Sequence, residues 1–271
     1  MTPPAPKILV FDSGLGGLTV FTEVAKLRPL AALLYCADDA GFPYGPLSEA
    51  ALVARVMEVM EKLVAELAPD LVVIACNTAS TLALPHLRAR WPQLPFVGTV
   101  PAIKPAAERS RSRLVSVLAT PGTVARDYTR ALIASFAEDC AVTLVGSTRL
   151  APLAEEFMRG AVVPEAEIAR EIAPCFVTRD AARTDVVVLA CTHYPLLLDS
   201  FRRLSPWAVE WIDPAPAIAR QADRLLADRF GPDRDAAAPA PRAIFTSGAR
   251  PEPALAAALT RMGFALDDKP E

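Results

Sequence analysis

Two cysteines in this sequence each end an apolar run and precede small polar residues. Cys76 follows the run 72–75, and Cys191 follows the run 187–190. A buried parallel strand reads as a continuous apolar run, and ligands of open α/β sheets bind where such strands end. We therefore predict that both thiols lie at the carboxyl ends of strands, in a binding site where each can give or take a proton.

A helical pattern begins just after each of these cysteines. The positive end of a helix favours a thiolate over a thiol. We therefore expect the pKa of both thiols to be lowered from its ordinary value of about 8.5 toward neutrality.

Further polar residues stand at the same strand ends. His193 is placed to hold or assist the proton of Cys191, and Asp12 is placed to do the same for Cys76 or to bind an ammonium group. Hydroxyl and amide donors suited to a carboxylate follow the same strands, and each is also typical of ordinary turns and caps. These donors are Ser13, Asn77, Thr78 and Thr192.

The two cysteine segments lie 115 positions apart, and other strand-like segments repeat in the same order. The repeated pairs are 7–11 and 114–119, 33–36 and 142–146, and 96–103 and 211–218. A period kept across several strand ends indicates an internal duplication. We predict an α/β fold of two similar parallel-sheet lobes, with the active site in the cleft between them.

The first predicted lobe comprises residues 1–97 and 211–271, and the second comprises residues 98–210. The tail rejoins the first lobe through a Pro/Ala/Asp-rich linker at 231–241 and a strand at 243–246. If the lobes face each other, Cys76 and Cys191 confront one another across a bound molecule. With each sulfur about 3 to 3.5 Å from one carbon, the sulfurs are about 7 Å apart, which suits a racemase and is too far for a disulfide.

Composition argues against several other classes of protein. The chain has 271 residues, 52% of them hydrophobic, and a net charge of −3, which gives no electrostatic basis for a nucleic-acid or membrane partner. No apolar run reaches the roughly 18 residues needed to span a bilayer, and no signal segment opens the chain. The 5 cysteines match neither a disulfide framework nor a metal site. We expect a cytoplasmic protein with reduced thiols.

Four motifs together resemble the glutamate racemases of the cofactor-independent aspartate/glutamate racemase family. They are Phe-Asp-Ser-Gly at 11–14, Pro-Tyr-Gly at 43–45, Ala-Cys-Asn-Thr-Ala at 75–79 and Ala-Cys-Thr-His-Tyr-Pro at 190–195. The resemblance covers about residues 8–218, with a weaker echo at 245–248. It implies that Cys76 and Cys191 are the catalytic acid/bases. It also implies that the glutamate site is lined by Asp12, Ser13, Tyr44, Gly45, Asn77, Thr78, Thr192 and His193.

The same resemblance implies a role in supplying D-glutamate for peptidoglycan, with no pyridoxal phosphate, no other cofactor and no metal. Family members commonly have Asp-Thr in the loop before Pro-Tyr-Gly, whereas this chain has Asp38-Asp39. Glu155 matches a family glutamate near the second cysteine, and Thr123 is a further candidate for substrate contact.

Two other interpretations stay open at the level of sequence. The two thiols predict the type of reaction but not the side chain of the substrate. A related racemase that acts on aspartate or a hydantoin would have the same pattern. A two-lobed protein that binds an amino acid without converting it has the same architecture. The oligomeric state is equally open, a homodimer included, and no regulatory ligand is indicated.

Overall fold

The protein is described by a computed structural model that covers residues 5–231 and 239–266. Residues 232–238 of the predicted linker lie outside these ranges. Within them, no helix is both long enough and apolar enough to cross a membrane. The described residues form two large parallel β-sheets, each with helices packed on both faces.

The strands of the described residues are short and mostly apolar. In chain order they are β1 (Lys7–Asp12), β2 (Ala32–Ala37), β3 (Leu71–Ile74), β4 (Phe96–Val97), β5 (Leu114–Ala119), β6 (Ala141–Gly146), β7 (Thr178–Arg179), β8 (Ala182–Arg183), β9 (Val186–Ala190), β10 (Glu210–Ile212) and β11 (Arg242–Phe245). All neighbours in the two large sheets pair in parallel. Strands β7 and β8 form a separate antiparallel pair.

Helices connect most of these strands. In chain order the described helices are α1 (Leu18–Leu27), α2 (Glu49–Leu67), α3 (Asn77–Arg90), α4 (Ile103–Arg109), α5 (Pro121–Val124), α6 (Asp127–Phe136), α7 (Leu150–Met158), α8 (Glu165–Ile172), α9 (Leu198–Leu204), α10 (Ala215–Phe230) and α11 (Pro253–Arg261). The predicted cap of the second helix is present, because the Ser48 side chain accepts a hydrogen bond from the Ala51 N–H.

The two sheets share one strand order. The first runs β11-β2-β1-β3-β4, and the second, read in the matching direction, runs β6-β5-β9-β10. Strands β1, β2, β3 and β4 therefore correspond to β5, β6, β9 and β10, while β11 is an additional edge strand of the first sheet. The predicted fold of two similar parallel-sheet lobes is confirmed, and the shared order is what a duplication produces.

Burial on both faces explains why the central strands are continuous apolar runs. Every residue of β3, β5 and β9 is buried. Helices α1, α10 and α11 cover one face of the first sheet, and α2 and α3 cover the other. In the second sheet, α7, α8 and α9 cover one face while α4 and α6 cover the other. A strand that is covered on both faces has no solvent-exposed face, so polar and apolar residues do not alternate along it.

Within the described residues, the chain crosses between the lobes twice, each time after an edge strand. Strand β4 belongs to the first sheet, and the following helix α4 packs on the second. Strand β10 belongs to the second sheet, and α10 packs on the first. The predicted boundary at residue 211 needs correction, because Trp211 pairs with Val187 inside the second sheet. The repeated segment 211–218 combines a strand of one lobe with the crossing to the other.

We propose that the crossing follows Ile212. The first lobe then comprises residues 5–97, 213–231 and 239–266, and the second comprises residues 98–212.

Asp185 anchors the start of the strand that leads to Cys191. Its carboxylate accepts hydrogen bonds from the Ser110 hydroxyl at 2.7 Å, from the Arg111 N–H at 2.7 Å and from the Ser112 N–H at 2.9 Å. These residues precede β5, so the contact ties the starts of two paired strands. Partial burial acts to raise the pKa of Asp185, but these hydrogen bonds outweigh it and lower the pKa.

Replacing Asp185 by asparagine should therefore destabilise the protein by about 1 kcal/mol at pH 7, after allowance for solvent screening at this half-buried site. Since the folded-state pKa is lowered, the carboxylate contributes stability above its unfolded pKa of about 3.9, and the contribution is lost as pH falls through the folded-state pKa. Urea denaturation of Asp185→Asn and wild type at pH 7 and about pH 3.5 measures both effects. Asp199→Asn is the control, because that side chain is 95% exposed. Equal stability losses in the two variants at pH 7 would contradict the anchoring role.

Candidate active site

Both candidate cysteines lie at the carboxyl ends of equivalent strands. Cys76 lies just beyond β3 at the start of α3, and Cys191 directly follows β9. The two residues are nearly completely buried, at 5% and 7% exposed. Because β3 and β9 correspond in the two sheets, the two thiols hold matching places in the two lobes.

The carboxyl edges of the two sheets face each other and are joined by hydrogen bonds. Thr192 Oγ1, in the second lobe, donates to Oδ1 of Asp12 at the end of β1, at 3.0 Å. The Gly14 N–H donates to the other oxygen of this fully buried carboxylate at 3.2 Å. The hydroxyls of Thr78 and Thr120, also from different lobes, are 3.5 Å apart. Polar groups from both sheets thus meet in one place.

His193 connects Cys191 to a buried carboxylate. Its Nδ1 lies 3.9 Å from Cys191 Sγ, and its Nε2 lies 2.9 Å from Oε1 of Glu155 on α7. The same carboxylate oxygen accepts the backbone N–H of Leu15 from the first lobe. The second Glu155 oxygen lies 3.4 Å from the Arg159 guanidinium. Glu155, known from sequence only as a family match, is therefore the direct partner of the imidazole and a second link between the lobes.

Glycines after β1 allow this close approach. A Cβ on Gly14 would lie 2.3 Å from Glu155 Oε1, and a Cβ on Gly16 would lie 2.5 Å from His193 Nδ1. A Cβ at Gly14 would displace the Glu155 carboxylate, and a Cβ at Gly16 would also lie 2.6 Å from the His193 backbone nitrogen, so glycine at these positions allows the second lobe to approach.

Thr120 is a site residue that sequence reasoning did not select. Its hydroxyl lies between those of Thr78 and Thr123, at 3.5 Å and 3.1 Å. It also accepts the Thr123 N–H as the cap of α5. The signal was present in the duplication, because Thr120 follows β5 where Asp12 and Ser13 stand at the end of β1.

Asn77 presents an unused acceptor at the start of α3. Its side-chain oxygen is buried and has no hydrogen-bond partner among the described residues. A buried polar atom without a protein partner is uncommon in folded proteins, and this oxygen is available to a water or a ligand group. The first N–H groups of α3 also lack intrahelical acceptors by helix geometry, and such groups bind anions.

The Pro-Tyr-Gly loop brings backbone donors to the same cleft. The Tyr44 hydroxyl donates to Asp38 Oδ2 at 2.5 Å. The Gly45 carbonyl approaches the second lobe, and a Cβ on Gly122 would lie 3.3 Å from it. Among residues 5–231 and 239–266, no hydrogen bond occupies the N–H groups of Tyr44 and Gly45. These two N–H groups are therefore available to a ligand.

The expected lowering of the thiol pKa is wrong for Cys76. Burial, together with the smaller effect of the nearby Asp12 carboxylate, raises the pKa of Cys76 to about 12. The hydrogen bonds from the Ala79 N–H and the Ser13 hydroxyl act in the lowering direction but are outweighed. The charge of Cys191 also acts on Cys76, which is consistent with two thiols in one cleft. Desolvation of the sulfur is stronger here than the helix terminus.

The imidazole and the carboxylates are tuned by the same cluster. Burial acts to lower the pKa of His193, but the hydrogen bonds to Cys191 and Glu155 raise it well above its ordinary value. Burial acts to raise the pKa of Glu155, but the contact with His193 lowers it overall. Burial raises the pKa of Asp12, and the charge of His193 only partly offsets this. The site therefore favours an imidazolium next to Cys191 and a neutral thiol at Cys76.

Comparison with known proteins assigns the family. A family model described as Asp/Glu/Hydantoin racemase matches residues 19–222. The chain belongs to this racemase family. The matched region includes both cysteine strand ends, Glu155 and both crossings between the lobes.

Individual members of the family are similar over most of the chain. The glutamate racemase of Brucella anthropi is 60% identical over 222 residues, which cover 82% of this chain and 80% of that protein. The glutamate racemase of Agrobacterium fabrum is 54% identical over 262 residues, covering 96% and 93%. The crystal structure of Escherichia coli glutamate racemase, in complex with L-glutamate and the activator UDP-MurNAc-ala, is 39% identical with a TM-score of 0.87 and covers 96% of each chain.

The structure thus brings most of the residues selected from sequence together where the two sheet edges meet. Those in direct contact with one another or with a neighbour across the lobes are Asp12, Ser13, Cys76, Thr78, Cys191, Thr192 and His193. Asn77 and Gly45 offer unpaired groups, and Tyr44 anchors the loop. The catalytic and binding roles assigned to these residues stay predictions.

We predict that Glu155→Gln lowers the pKa of His193, because the carboxylate that favours the imidazolium is removed. The imidazole should then lose its proton at lower pH than in wild type. The chain has only 2 histidines, so an NMR titration resolves both rings, with exposed His86 as the internal reference. Glu156→Gln, at an exposed neighbouring position, is the control and should leave the His193 titration unchanged. An unaltered His193 titration in Glu155→Gln would show that the ion pair does not set this pKa.

Proposed function

We propose that this chain is a glutamate racemase in which Cys76 and Cys191 act from opposite faces of the substrate Cα. The observation that carries the proposal is that β3 and β9 hold equivalent places in two sheets whose four corresponding strands have the same order. Each strand ends in a buried cysteine at the edge that faces the other lobe. Two acid/base groups in line with one carbon are what inversion at that carbon requires.

The surroundings of the two thiols fit opposite roles in a single turnover. An imidazolium on His193, close to Cys191, attracts a thiolate there, and this thiolate can remove the proton from Cα. Cys76, whose pKa is raised by burial, is held as a thiol that can deliver its proton to the opposite face. The enantiomer formed is then a substrate for the reverse transfer, from Cα to Cys76 and from Cys191 to Cα.

Burial of both sulfurs also contributes to the rate. A thiolate in a water-excluded cleft is less stabilised by solvent and is a stronger base toward a weakly acidic Cα–H. Positioning each sulfur at about 3 to 3.5 Å from Cα would supply the near-attack geometry. The developing negative charge can spread into the α-carboxylate, which the N–H groups at the start of α3 are suited to bind.

The distribution of donors and acceptors suits an amino acid with a second carboxylate. Asp12 and the free Asn77 oxygen are acceptors for the ammonium group. The start of α3 and the threonine hydroxyls are donors for one carboxylate. The N–H groups of Tyr44 and Gly45 are donors for the other. The L-glutamate complex of the similar Escherichia coli enzyme supports this assignment of the substrate.

We further propose that the reaction takes place in the cytoplasm and that its D-glutamate is used for peptidoglycan. A mechanism based on two free thiols needs a compartment that keeps them reduced. The net charge of −3 gives no electrostatic basis for a nucleic-acid or membrane partner. The proposed partner is therefore the small-molecule substrate alone.

Incubation with L-glutamate in heavy water tests the reaction directly. The D-glutamate formed should carry deuterium at Cα, because the proton delivered to the second face comes from a thiol that has exchanged with solvent. Mass spectrometry and chiral chromatography measure both properties of the product. Aspartate and a hydantoin are incubated in parallel, and faster exchange with either one would reassign the substrate. Absence of exchange with all of them would leave a binding protein as the function.

Replacement of either cysteine by serine should reduce racemisation of glutamate by several orders of magnitude, because neither face has a substitute base. Steady-state rates for Cys76→Ser and Cys191→Ser, measured from each enantiomer, provide the comparison. Cys140→Ser is the matched control, since that cysteine is half-buried at the edge of the second lobe and outside the cleft. Substantial activity in either single variant would mean that the two thiols do not act in line.

A further inference from the structure

The loop that carries Tyr44 and Gly45 is wrapped around one buried carboxylate. Asp38 is fully buried and accepts the Tyr44 hydroxyl at 2.5 Å. It also accepts two groups of the Arg55 guanidinium, at 2.9 Å and 2.5 Å. A Cβ on Gly41 would lie 2.6 Å from the same carboxylate and would displace it. The conformation of the loop therefore depends on what holds Asp38.

The C-terminal strand supplies the remaining contact to Asp38. Thr246, directly after β11, donates its hydroxyl to Asp38 Oδ1 at 2.5 Å and accepts the Ala40 N–H at 3.3 Å. The hydroxyl is thus used both as donor and as acceptor, by two residues of the same loop. The Thr246 N–H continues the sheet by donating to the Ala37 carbonyl at 3.1 Å. A strand from the far end of the sequence is tied to the start of the substrate loop.

Asp39 adds a second contact between the same two segments. Its carboxylate accepts the Ser247 N–H at 2.9 Å and also the Ser247 hydroxyl. This is the position at which the family commonly has threonine, and here the aspartate is matched by a serine of the C-terminal segment. The departure from the family pattern therefore has a partner in the structure.

We propose that Thr246 and Ser247 are positioning residues for glutamate binding, which hold the Pro-Tyr-Gly loop in place through Asp38 and Asp39. This inference rests on the proposed function, in which the N–H groups of Tyr44 and Gly45 bind the side-chain carboxylate of glutamate. Neither residue touches the reacting carbon. Their loss should weaken substrate binding and leave the proton transfers at Cα largely intact.

The test is the steady-state kinetics of Thr246→Val, which keeps the shape of the side chain and removes its hydroxyl. KM for both enantiomers of glutamate should rise about tenfold, as expected for loss of one hydrogen bond to a charged group, with kcat within about twofold of wild type. Ser247→Ala, at an exposed position, should raise KM less. Thr246→Ser restores the hydroxyl and should return KM close to the wild-type value.

Thr260→Val is the matched control. Thr260 lies on α11 in the same C-terminal segment, and its hydroxyl donates to the Ala256 carbonyl at 2.9 Å at an exposed position. KM should be unchanged in this variant. An unchanged KM in Thr246→Val, or a loss of kcat that Thr246→Ser does not restore, would overturn the positioning role while wild-type activity upholds the proposed function. A wild-type chain that does not racemise glutamate would overturn both.

Discussion

The contact between the carboxyl edges of the two sheets is the constraint on which the site depends. It consists of buried hydrogen bonds between the lobes. The main ones run from the Thr192 hydroxyl to the Asp12 carboxylate and from the Leu15 N–H to the Glu155 carboxylate. Buried hydrogen bonds to charged groups are costly to leave unmade, so they favour one relative placement of the lobes. That placement is what turns two separate strand ends into two walls of one cleft.

Duplication gives the two walls the same backbone and leaves their side chains free to differ. The four corresponding strands have the same order in both sheets. In each lobe, the helix that follows the fourth of these strands packs on the other lobe. The titratable groups next to the two thiols nevertheless differ. Asp12 lies near Cys76, whereas the imidazole of His193 lies near Cys191. A symmetric scaffold with asymmetric electrostatics suits a reaction in which one thiol donates while the other accepts.

Sequence patterns predicted the parts of this structure that depend on local chemistry. Continuous apolar runs located β3 and β9, and the residues that follow them located Cys76, Cys191 and His193. Contacts distant in sequence left no such pattern. Nothing local pairs Asp38 with Arg55 and Thr246, because these residues meet only after the sheet has formed.

The pKa of Cys76 was mispredicted for a related reason. A helix terminus can be predicted from sequence, but the degree of desolvation at the sulfur depends on tertiary packing. The boundary at residue 211 failed because one repeated segment contains both a strand of the second sheet and the crossing to the first. Strand and crossing could be separated only by the observed pairing of β10 with β9.

The most direct test of two thiols acting on one carbon is a crystal structure of this chain with glutamate bound. The sulfurs of Cys76 and Cys191 should lie on opposite faces of Cα, each at about 3 to 3.5 Å and nearly in line with it. Both sulfurs on the same face of Cα, or one of them directed into a separate cavity, would contradict this mechanism.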